Sequence, residues 1–204
     1  SKKARLGLEL KALHAQLNPH FVFNALSSIQ GLINKNNIAG ANKYLSKFGA
    51  LMRSSLEAGE KDLISLDKEI EALETYLSLE QLRFGFKYAI HTDAAINPAE
   101  TDIPALLLQP VVENAVKHGV AGLEEKGQIT LSFTRQGNDM LVTVADNGSG
   151  FKYDGNNKGL GLKLTRERIH LLNEILKGRP VALSIEEDGQ NGAAVCLLLK
   201  NWWL

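Results

Sequence analysis

The chain has 204 residues, and its 23 Lys and Arg residues balance 23 Asp and Glu residues, so the formal net charge at pH 7 is zero. This balance argues against a protein whose main task is binding nucleic acid, because neutralising phosphates requires an excess of Lys and Arg. Hydrophobic residues make up 44% and charged residues 23%, which is close to the average for globular proteins. The single cysteine excludes a disulfide framework and a metal site built from cysteines.

The longest uninterrupted apolar stretch is residues 193–199. A membrane-spanning helix needs about 20 such residues, so we expect no membrane crossing and no membrane contact within this fragment. The chain begins with Ser1 and carries no signal-peptide pattern. We therefore expect a cytoplasmic fragment, and a full-length protein that is anchored in the membrane by segments upstream.

The first 85 residues have apolar side chains at helical spacing, interrupted by the polar run at residues 34–37. This pattern predicts an antiparallel helical hairpin over residues 1–62, too thin to hold a deep core, which we expect to pair with a second copy into a four-helix bundle. Ser65 is a candidate N-cap for a third, lead-in helix that ends near Gly85. Inward positions on the second and third helices are predicted for Tyr44, Leu45, Phe48, Leu51, Met52, Leu56, Ile70, Leu73, Leu77 and Leu82.

The second part, residues 63–204 including the lead-in helix at 63–85, has a different pattern. Strands are predicted at 86–91, 129–135, 140–145, 181–186 and 193–200, and helices at 104–118 and 162–176, with a glycine-rich loop at 146–161. This order predicts an α+β protein, in which the hairpin is followed by a two-layer α/β sandwich with helices on one face of a mixed sheet. The tail residues Trp202 and Trp203 are expected to cover a sheet edge or an interface, or to extend freely.

The helix predicted at 104–118 carries a narrow polar strip formed by Glu113, Asn114, Lys117 and His118. An amide oxygen is a hard ligand suited to Mg²⁺, and a lysine can approach a polyphosphate as a point charge. The alternative is a solvated outer face with an ordinary Glu113–Lys117 ion pair. For this helix taken alone, that alternative is favoured.

Two glycine-rich segments follow strands or open helices. Asp146 ends a predicted strand, where its carboxylate could accept a hydrogen bond from an amino group such as that of adenine, and Gly148 and Gly150 allow close backbone approach. Gly159 and Gly161 open the last helix, where backbone N–H groups favour an anion. This segment is neither a P-loop nor a dinucleotide fingerprint, because the required lysine and third glycine are absent. Taken singly, each segment could be an ordinary turn.

In this order, over residues 86–204, the motifs resemble the GHKL ATPase superfamily. The resemblance implies that the chain binds ATP and Mg²⁺, that Asn114 holds the metal, and that Asp146 binds the adenine amino group. It also implies that Lys117 and His118 face phosphate or ribose. The remaining pocket and lid positions it implies are Gly148, Gly150, Gly159, Gly161 and Leu162, with Lys152 and Lys158 as phosphate contacts by position alone.

The first half contains the sequence Asn-Pro-His-Phe-Val-Phe-Asn at residues 18–24. A lone histidine on a helix is usually a surface or packing residue, and His14 and His170 are interpreted in that way. His20 differs because Pro19 stands beside it, and a proline inside a helix costs about 3 kcal/mol that packing does not require here.

This stretch resembles the phosphoacceptor region of the LytS-type sensor histidine kinases, and residues 76–85, 107–119 and 162–168 match further motifs of that family. The resemblance implies autophosphorylation of His20, phosphotransfer to an aspartate on the receiver domain of a response regulator, and a homodimer. An acidic residue, which could act as a base, follows the histidine in many other kinases, whereas Phe21 follows it here. Glu113 is therefore our candidate base, and Asn24 our candidate for positioning a water molecule.

Phe86 replaces the aspartate usual in the family and is interpreted as structural. Two other functions stay open at this point. One is a catalytically silent, nucleotide-binding dimeric scaffold. The other is a GHKL ATPase that transfers the phosphoryl group to water.

Overall fold

The computed structural model describes residues 1–15, 19–148, 159–188 and 192–204, with the side chains of residues 9–20, 159–161 and 187–188 left out of the description. The helices are α1 (Lys2–Ala15), α2 (Pro19–Asn34), α3 (Ile38–Gly59), α4 (Leu66–Phe84), α5 (Gln109–Asn114) and α6 (Gly159–Ile175). The strands are β1 (Leu63–Ser65), β2 (Lys87–Thr92), β3 (Asp102–Pro104), β4 (Gln128–Gln136), β5 (Asp139–Asp146), β6 (Val181–Asp188) and β7 (Gly192–Leu199).

Helices α2 and α3 form a hairpin whose turn lies at the polar run, as predicted. Asn37 caps α3 by accepting a hydrogen bond from the backbone N–H of Gly40 at 2.9 Å. Tyr44 and Leu51 are buried as predicted, but Leu45 and Leu56 remain 52% and 70% exposed. The prediction that these two leucines point inward is therefore wrong for the single chain.

The hairpin packs directly on α4 through aromatic side chains. The ring of Phe21 lies 5.2 Å from the ring of Tyr76 and 5.7 Å from that of Phe48, centroid to centroid. Helix α4 begins after Ser65 and ends at Gly85, whose φ of +72° is the left-handed conformation that favours glycine. Leu82, predicted to be buried, is 65% exposed. The domain boundary after residue 62 stays a prediction.

The main sheet has the strand order β2-β4-β5-β7-β6, with β2 parallel to β4 and all other pairs antiparallel. It is the mixed sheet that the sequence predicts. Side chains alternate along β4, so that Ile129, Leu131 and Phe133 enter the core. Helices α4 and α6 pack against this sheet, which confirms the predicted α+β class. The two-stranded sheet of β1 and β3 was not predicted, because three-residue strands are too short to show periodicity.

The helix predicted to begin at Pro104 begins instead at Gln109. Pro104 ends β3, and Leu106 has a φ of +63°, which no helix accommodates. Pro110 then lies in the first turn of α5, where a missing N–H group costs little. Conversely, α6 begins at Gly159, before the predicted start at residue 162.

The C-terminal tail packs on its own chain. The indole Nε1 of Trp202 donates a hydrogen bond to the carbonyl oxygen of Asp102 in β3 at 2.6 Å, and the Arg179 guanidinium lies 3.8 Å from the ring centroid. Phe86, interpreted as structural, is fully buried. Within the described residues, no helix is long and apolar enough to cross a membrane.

Charged side chains are buried where α4, α5 and α6 meet, and hydrophobic periodicity did not predict them. Glu69 and Glu80 of α4, Glu113 of α5 and Arg168 of α6 are each less than a tenth exposed. Burial raises the pKa of Glu69 to about 7, although the charge of Arg168 acts in the opposite direction. Burial also lowers the pKa of Arg168 to about 10. Charge therefore links the helix that follows the hairpin to the last helix of the chain.

The raised pKa of Glu69 predicts how stability depends on pH. Since the ordinary pKa is near 4.5, the folded chain binds more protons at this site than the unfolded chain between about pH 4.5 and 7. The free energy of unfolding should consequently fall as the pH rises from about 5 to 8, by up to about 3 kcal/mol from this group. Urea unfolding at several pH values should show that Glu69→Gln removes this part of the fall. Exposed Glu71→Gln is the control, and equally steep curves for Glu69→Gln and the parent chain would contradict the prediction.

Candidate functional site

The end of β5 presents a fixed carboxylate. Met140, Val142 and Val144 alternate into the core, and the strand ends at Asp146, which is half-buried. Oδ1 of Asp146 accepts a hydrogen bond from the backbone N–H of Gly148 at 2.9 Å. This local bond holds the carboxylate in one orientation at the end of a central strand.

Three glycines lie around Asp146, and a Cβ at any of them would come closer than 3 Å to a neighbouring atom. A Cβ on Gly119 would lie 2.6 Å from the carboxyl carbon of Asp146, and one on Gly148 would overlap the carbonyl oxygen of Gly119. A Cβ on Gly192, whose φ is +117°, would overlap the carbonyl oxygen of Asp146. Of the three, only Gly148 was predicted as a site residue. The signal for Gly119 was a glycine directly after His118 within a helical pattern.

Asn147 secures the same turn from the other side and was also missed. Its Oδ1 accepts a hydrogen bond from the backbone N–H of Gln128, and its Nδ2 donates one to the carbonyl oxygen of Lys126, both at 2.7 Å. The turn is thereby tied to the start of β4. This leaves little freedom for the Asp146 carboxylate.

The polar strip predicted on one helix lies on two kinds of helix, with Glu113 and Asn114 in α5 and Lys117 and His118 in the turn that follows it. After α5 ends at Asn114, residues Ala115–Val120 form a π-helical turn, a feature often found at functional sites. Lys117 is exposed and His118 is half-buried on this turn, which leads directly to Gly119 and the carboxylate of Asp146. The turn thus places the lysine and histidine on the segment that borders the candidate pocket.

Glu113 does not lie on a solvated face, so the alternative interpretation of this strip is wrong for that residue. Its side chain is 8% exposed and accepts a hydrogen bond from Nε2 of Gln109 at 3.3 Å. Burial raises the pKa of Glu113 to about 7, against the lowering effect of the Lys117 and Arg168 charges. Such a carboxyl can exchange a proton near neutral pH.

Asn114 ends α5, half-buried, between Glu113 and the π-helical turn. Among the described residues, no group of three or more His, Cys, Asp or Glu side chains is arranged to hold a metal. A single amide ligand nevertheless suits Mg²⁺, which is usually held by one or two protein oxygens together with substrate phosphates and water. The donor set is therefore compatible with a metal that enters with a nucleotide.

His20 follows Pro19 at the start of the described part of α2, and residues 16–18 lie outside the described residues. The prediction that Pro19 stands inside a helix beside His20 therefore stays a prediction. The side chain of His20 lies outside the described residues. Asn24 is half-buried, and its carbonyl oxygen accepts a hydrogen bond from Oγ of Ser28 at 3.0 Å.

The remaining predicted positions are divided between the two sides of the glycine-rich loop. Gly159 and Gly161 lie in α6, and Leu162 is buried just after them. Gly150, Lys152 and Lys158 lie outside the described residues. The structure thus brings together Asp146, Gly148 and the segment carrying Lys117 and His118, and gives no distance from them to the His20 imidazole.

Comparison with known families and proteins gives concordant results. Residues 8–88 match the family "Histidine kinase", and residues 100–201 match the "Histidine kinase-, DNA gyrase B-, and HSP90-like ATPase" family. Sensor histidine kinase BtsS of Escherichia coli is 34% identical over 163 residues, which are 79% of this chain and 28% of that protein. Sensor protein LytS of Bacillus subtilis is 31% identical over 199 residues, which are 87% of this chain and 33% of that protein. The chain thus spans about a third of the length of these curated relatives.

Among solved structures, the histidine kinase domain of the Erythrobacter litoralis blue-light activated histidine kinase aligns with a TM-score of 0.53 and 18% identity. The alignment covers 98% of this chain and 96% of that one. The catalytic domain of histidine kinase ThkA aligns with a TM-score of 0.50 and 15% identity over 67% of this chain and 94% of that one. These likenesses confirm the fold. Because the ATPase family covers half of the chain and LytS proteins match most of it, the chain belongs to the LytS-type histidine kinases.

Proposed function

We propose that this chain is the kinase core of a two-component sensor. In this proposal it transfers the γ-phosphoryl group of ATP to His20 and then to an aspartate on the receiver domain of a response regulator. The observation that carries the proposal is the pairing, on one chain, of the motif at residues 18–24 with the carboxylate and glycine junction at Asp146. A nucleotide pocket alone would suit any ATPase of the family, whereas this motif supplies an acceptor for the phosphoryl group.

In the proposed pocket, the carboxylate of Asp146 accepts a hydrogen bond from the adenine amino group. The turn at Gly148 holds that carboxylate rigidly, so that little freedom is lost when the base binds. Lys117 and His118 would face phosphate or ribose, and Asn114 would hold Mg²⁺, which neutralises charge on the phosphates. The glycine-rich positions proposed to shape the pocket and its lid are Gly148, Gly150, Gly159 and Gly161, with Leu162 beneath them.

His20 is proposed to act as the nucleophile. Near neutral pH an ordinary imidazole is largely uncharged, and its unprotonated ring nitrogen can attack the γ-phosphorus. As the N–P bond forms, the bond to the oxygen bridging the β- and γ-phosphates breaks and ADP leaves. The proton on the other ring nitrogen passes to a base, for which we propose Glu113.

Two features of Glu113 bear on this role. Its raised pKa, about 7, makes the carboxylate a better proton acceptor than an exposed glutamate at neutral pH. Because Glu113 is only 8% exposed, the His20 imidazole would have to contact α5 directly for the proton to pass. Asn24, one helical turn beyond His20, is proposed to position the water molecule that removes the phosphoryl group from the regulator.

A second copy of the chain is the proposed partner of the hairpin. Large apolar side chains remain exposed on α2 and α3, namely Phe23, Leu26, Ile33, Ile38, Leu45 and Leu56. A monomer rarely leaves so many on two adjacent helices, and a four-helix bundle would bury them against their own copies. The fragment would act in the cytoplasm, as part of a full-length protein anchored in the membrane.

Replacing His20 should abolish labelling of the chain. When the 204-residue chain is incubated with γ-labelled ATP and Mg²⁺, we expect it to acquire an acid-labile, base-stable label, as a phosphoramidate does. His20→Ala should lose this label because the nucleophile is gone, whereas His170→Ala, an exposed histidine on α6, should retain it. Label that persists in His20→Ala would contradict the proposal. Release of phosphate that His20→Ala does not affect would favour an ATPase instead.

Adding one carbon at Gly119 should weaken nucleotide binding. The Cβ of Gly119→Ala would lie 2.6 Å from the Asp146 carboxyl carbon and displace the carboxylate from its position. We expect a loss of about tenfold or more in ATP affinity by calorimetry, since a charged hydrogen bond contributes about 1.5–3 kcal/mol. Gly122→Ala, which has open space around its Cβ, is the matched control. Unchanged affinity in Gly119→Ala would place the adenine elsewhere.

A charge on the exposed hairpin surface should separate the two copies. Leu45→Glu puts a carboxylate on the apolar surface and should convert a dimer into a monomer in sedimentation equilibrium, because burying an unpaired charge is costly. Leu82→Glu, at a similarly exposed leucine on α4, should leave the dimer intact. A parent chain that sediments as a monomer, or a Leu45→Glu variant that still dimerises, would exclude this surface as the dimer interface.

A further inference from the structure

A cavity of about 240 Å³ lies between α3, α4 and the segment that precedes α5, outside the nucleotide pocket. Its walls are mainly apolar and include Leu51, Ala58, Ile64, Ala72, Leu73 and Leu106. Four exposed charged side chains stand at its rim, namely Glu57, Lys61, Lys68 and Glu71, so the charges at the rim sum to zero. Tyr76 and Gln109 of its wall lie in the motif stretches 76–85 and 107–119, but neither is a predicted site residue.

Two buried polar groups among the lining residues can accept hydrogen bonds. Glu69 lines the cavity and is 4% exposed, and the charge of Arg168 acts on its carboxyl group. Gln109, 9% exposed, also lines the cavity; its Nε2 donates to Glu113, and its carbonyl Oε1 can accept a hydrogen bond. The charge of Arg168 does not compensate for the burial of Glu69, because the pKa of this carboxyl stays raised. Buried acceptors of this kind normally meet a donor.

We propose that this cavity binds a small organic cation, with its ammonium or amidinium group against Glu69 and Gln109 and its apolar part against the leucine-lined wall. A cationic group is suited to the cavity because it offers several donors and a charge opposite to that of the carboxylate. An anion would face the buried carboxylate, and a purely apolar molecule would offer no donor to either acceptor.

The dimensions of the cavity set the size of the ligand. A cavity of about 150 Å³ holds a benzene ring, so about 240 Å³ accommodates a ring with a short aminoalkyl chain. The location gives the binding a consequence. A molecule seated here contacts α3 of the hairpin and α4 of the following part at the same time, and so holds the two together. The site does not depend on the proposed kinase reaction.

Benzylamine is a suitable probe, and amide NMR spectra of the 204-residue chain provide the measurement. At about pH 8, above the pKa of Glu69, saturable shifts are expected for α3 and α4 residues lining the cavity. Glu69→Gln should weaken binding about tenfold or more by removing the charged partner, and benzyl alcohol should bind the parent chain correspondingly weakly. Glu71→Gln, at the rim, should bind benzylamine like the parent chain.

A second variant tests the cavity itself. Ala72→Leu fills the space from the α4 wall without changing any charge and should abolish binding, while Ala50→Leu, on the exposed side of α3, should not. This pair decides the question even if Glu69→Gln fails to fold. Absence of saturable shifts in the parent chain would overturn the proposal and leave a cavity filled with water. Equal affinity in Glu69→Gln or in Ala72→Leu would overturn it as well.

Discussion

The contact between Asp146 and the glycines around it constrains the part of the chain that holds the candidate site. Backbone from the π-helical turn, from the loop after β5 and from the start of β7 comes together around Asp146, and a Cβ on Gly119, Gly148 or Gly192 would lie under 3 Å from atoms of Asp146 or of Gly119. Because β5 lies near the centre of the sheet, the position of that carboxylate is fixed by the core. The π-helical turn bearing Lys117 and His118 is placed against this carboxylate through Gly119, so the sheet positions groups that lie outside it.

The second constraint is electrostatic and joins the two halves of the chain. Three glutamates and Arg168 share the space between α4, α5 and α6, where ionised groups are costly and any movement changes their mutual energy. Helix α4 also carries Tyr76, against which Phe21 of the hairpin packs. Helix α4 thus contacts the hairpin through Tyr76 and carries buried charges that face those of the helix that ends in Asn114.

Secondary-structure elements that depend on one local pattern were predicted correctly from the sequence. The alternation in β4 and β5 and the end of α4 at Gly85 follow from local chemistry, and their prediction is confirmed. The predicted start of α5 was wrong because a proline such as Pro104 is compatible both with the end of a strand and with the start of a helix. The predicted burial of Leu45 and Leu56 was wrong because helical spacing cannot distinguish residues of the chain's own core from residues that face a partner. Within the site, Asp146 and Gly148 carry a motif, whereas Asn147 and the buried glutamates act through distant partners that no spacing reveals.

The indole packing at the C-terminus also determines what an optical experiment can observe. Both tryptophans of the chain stand at its end, Trp202 against β3 and the Arg179 guanidinium, and Trp203 beside Arg135. The hairpin contains none, so its loosening would leave the intrinsic fluorescence nearly silent while circular dichroism lost helix signal. Disagreement between those two probes would then reveal a partly folded species whose sheet is intact and whose N-terminal helices are not.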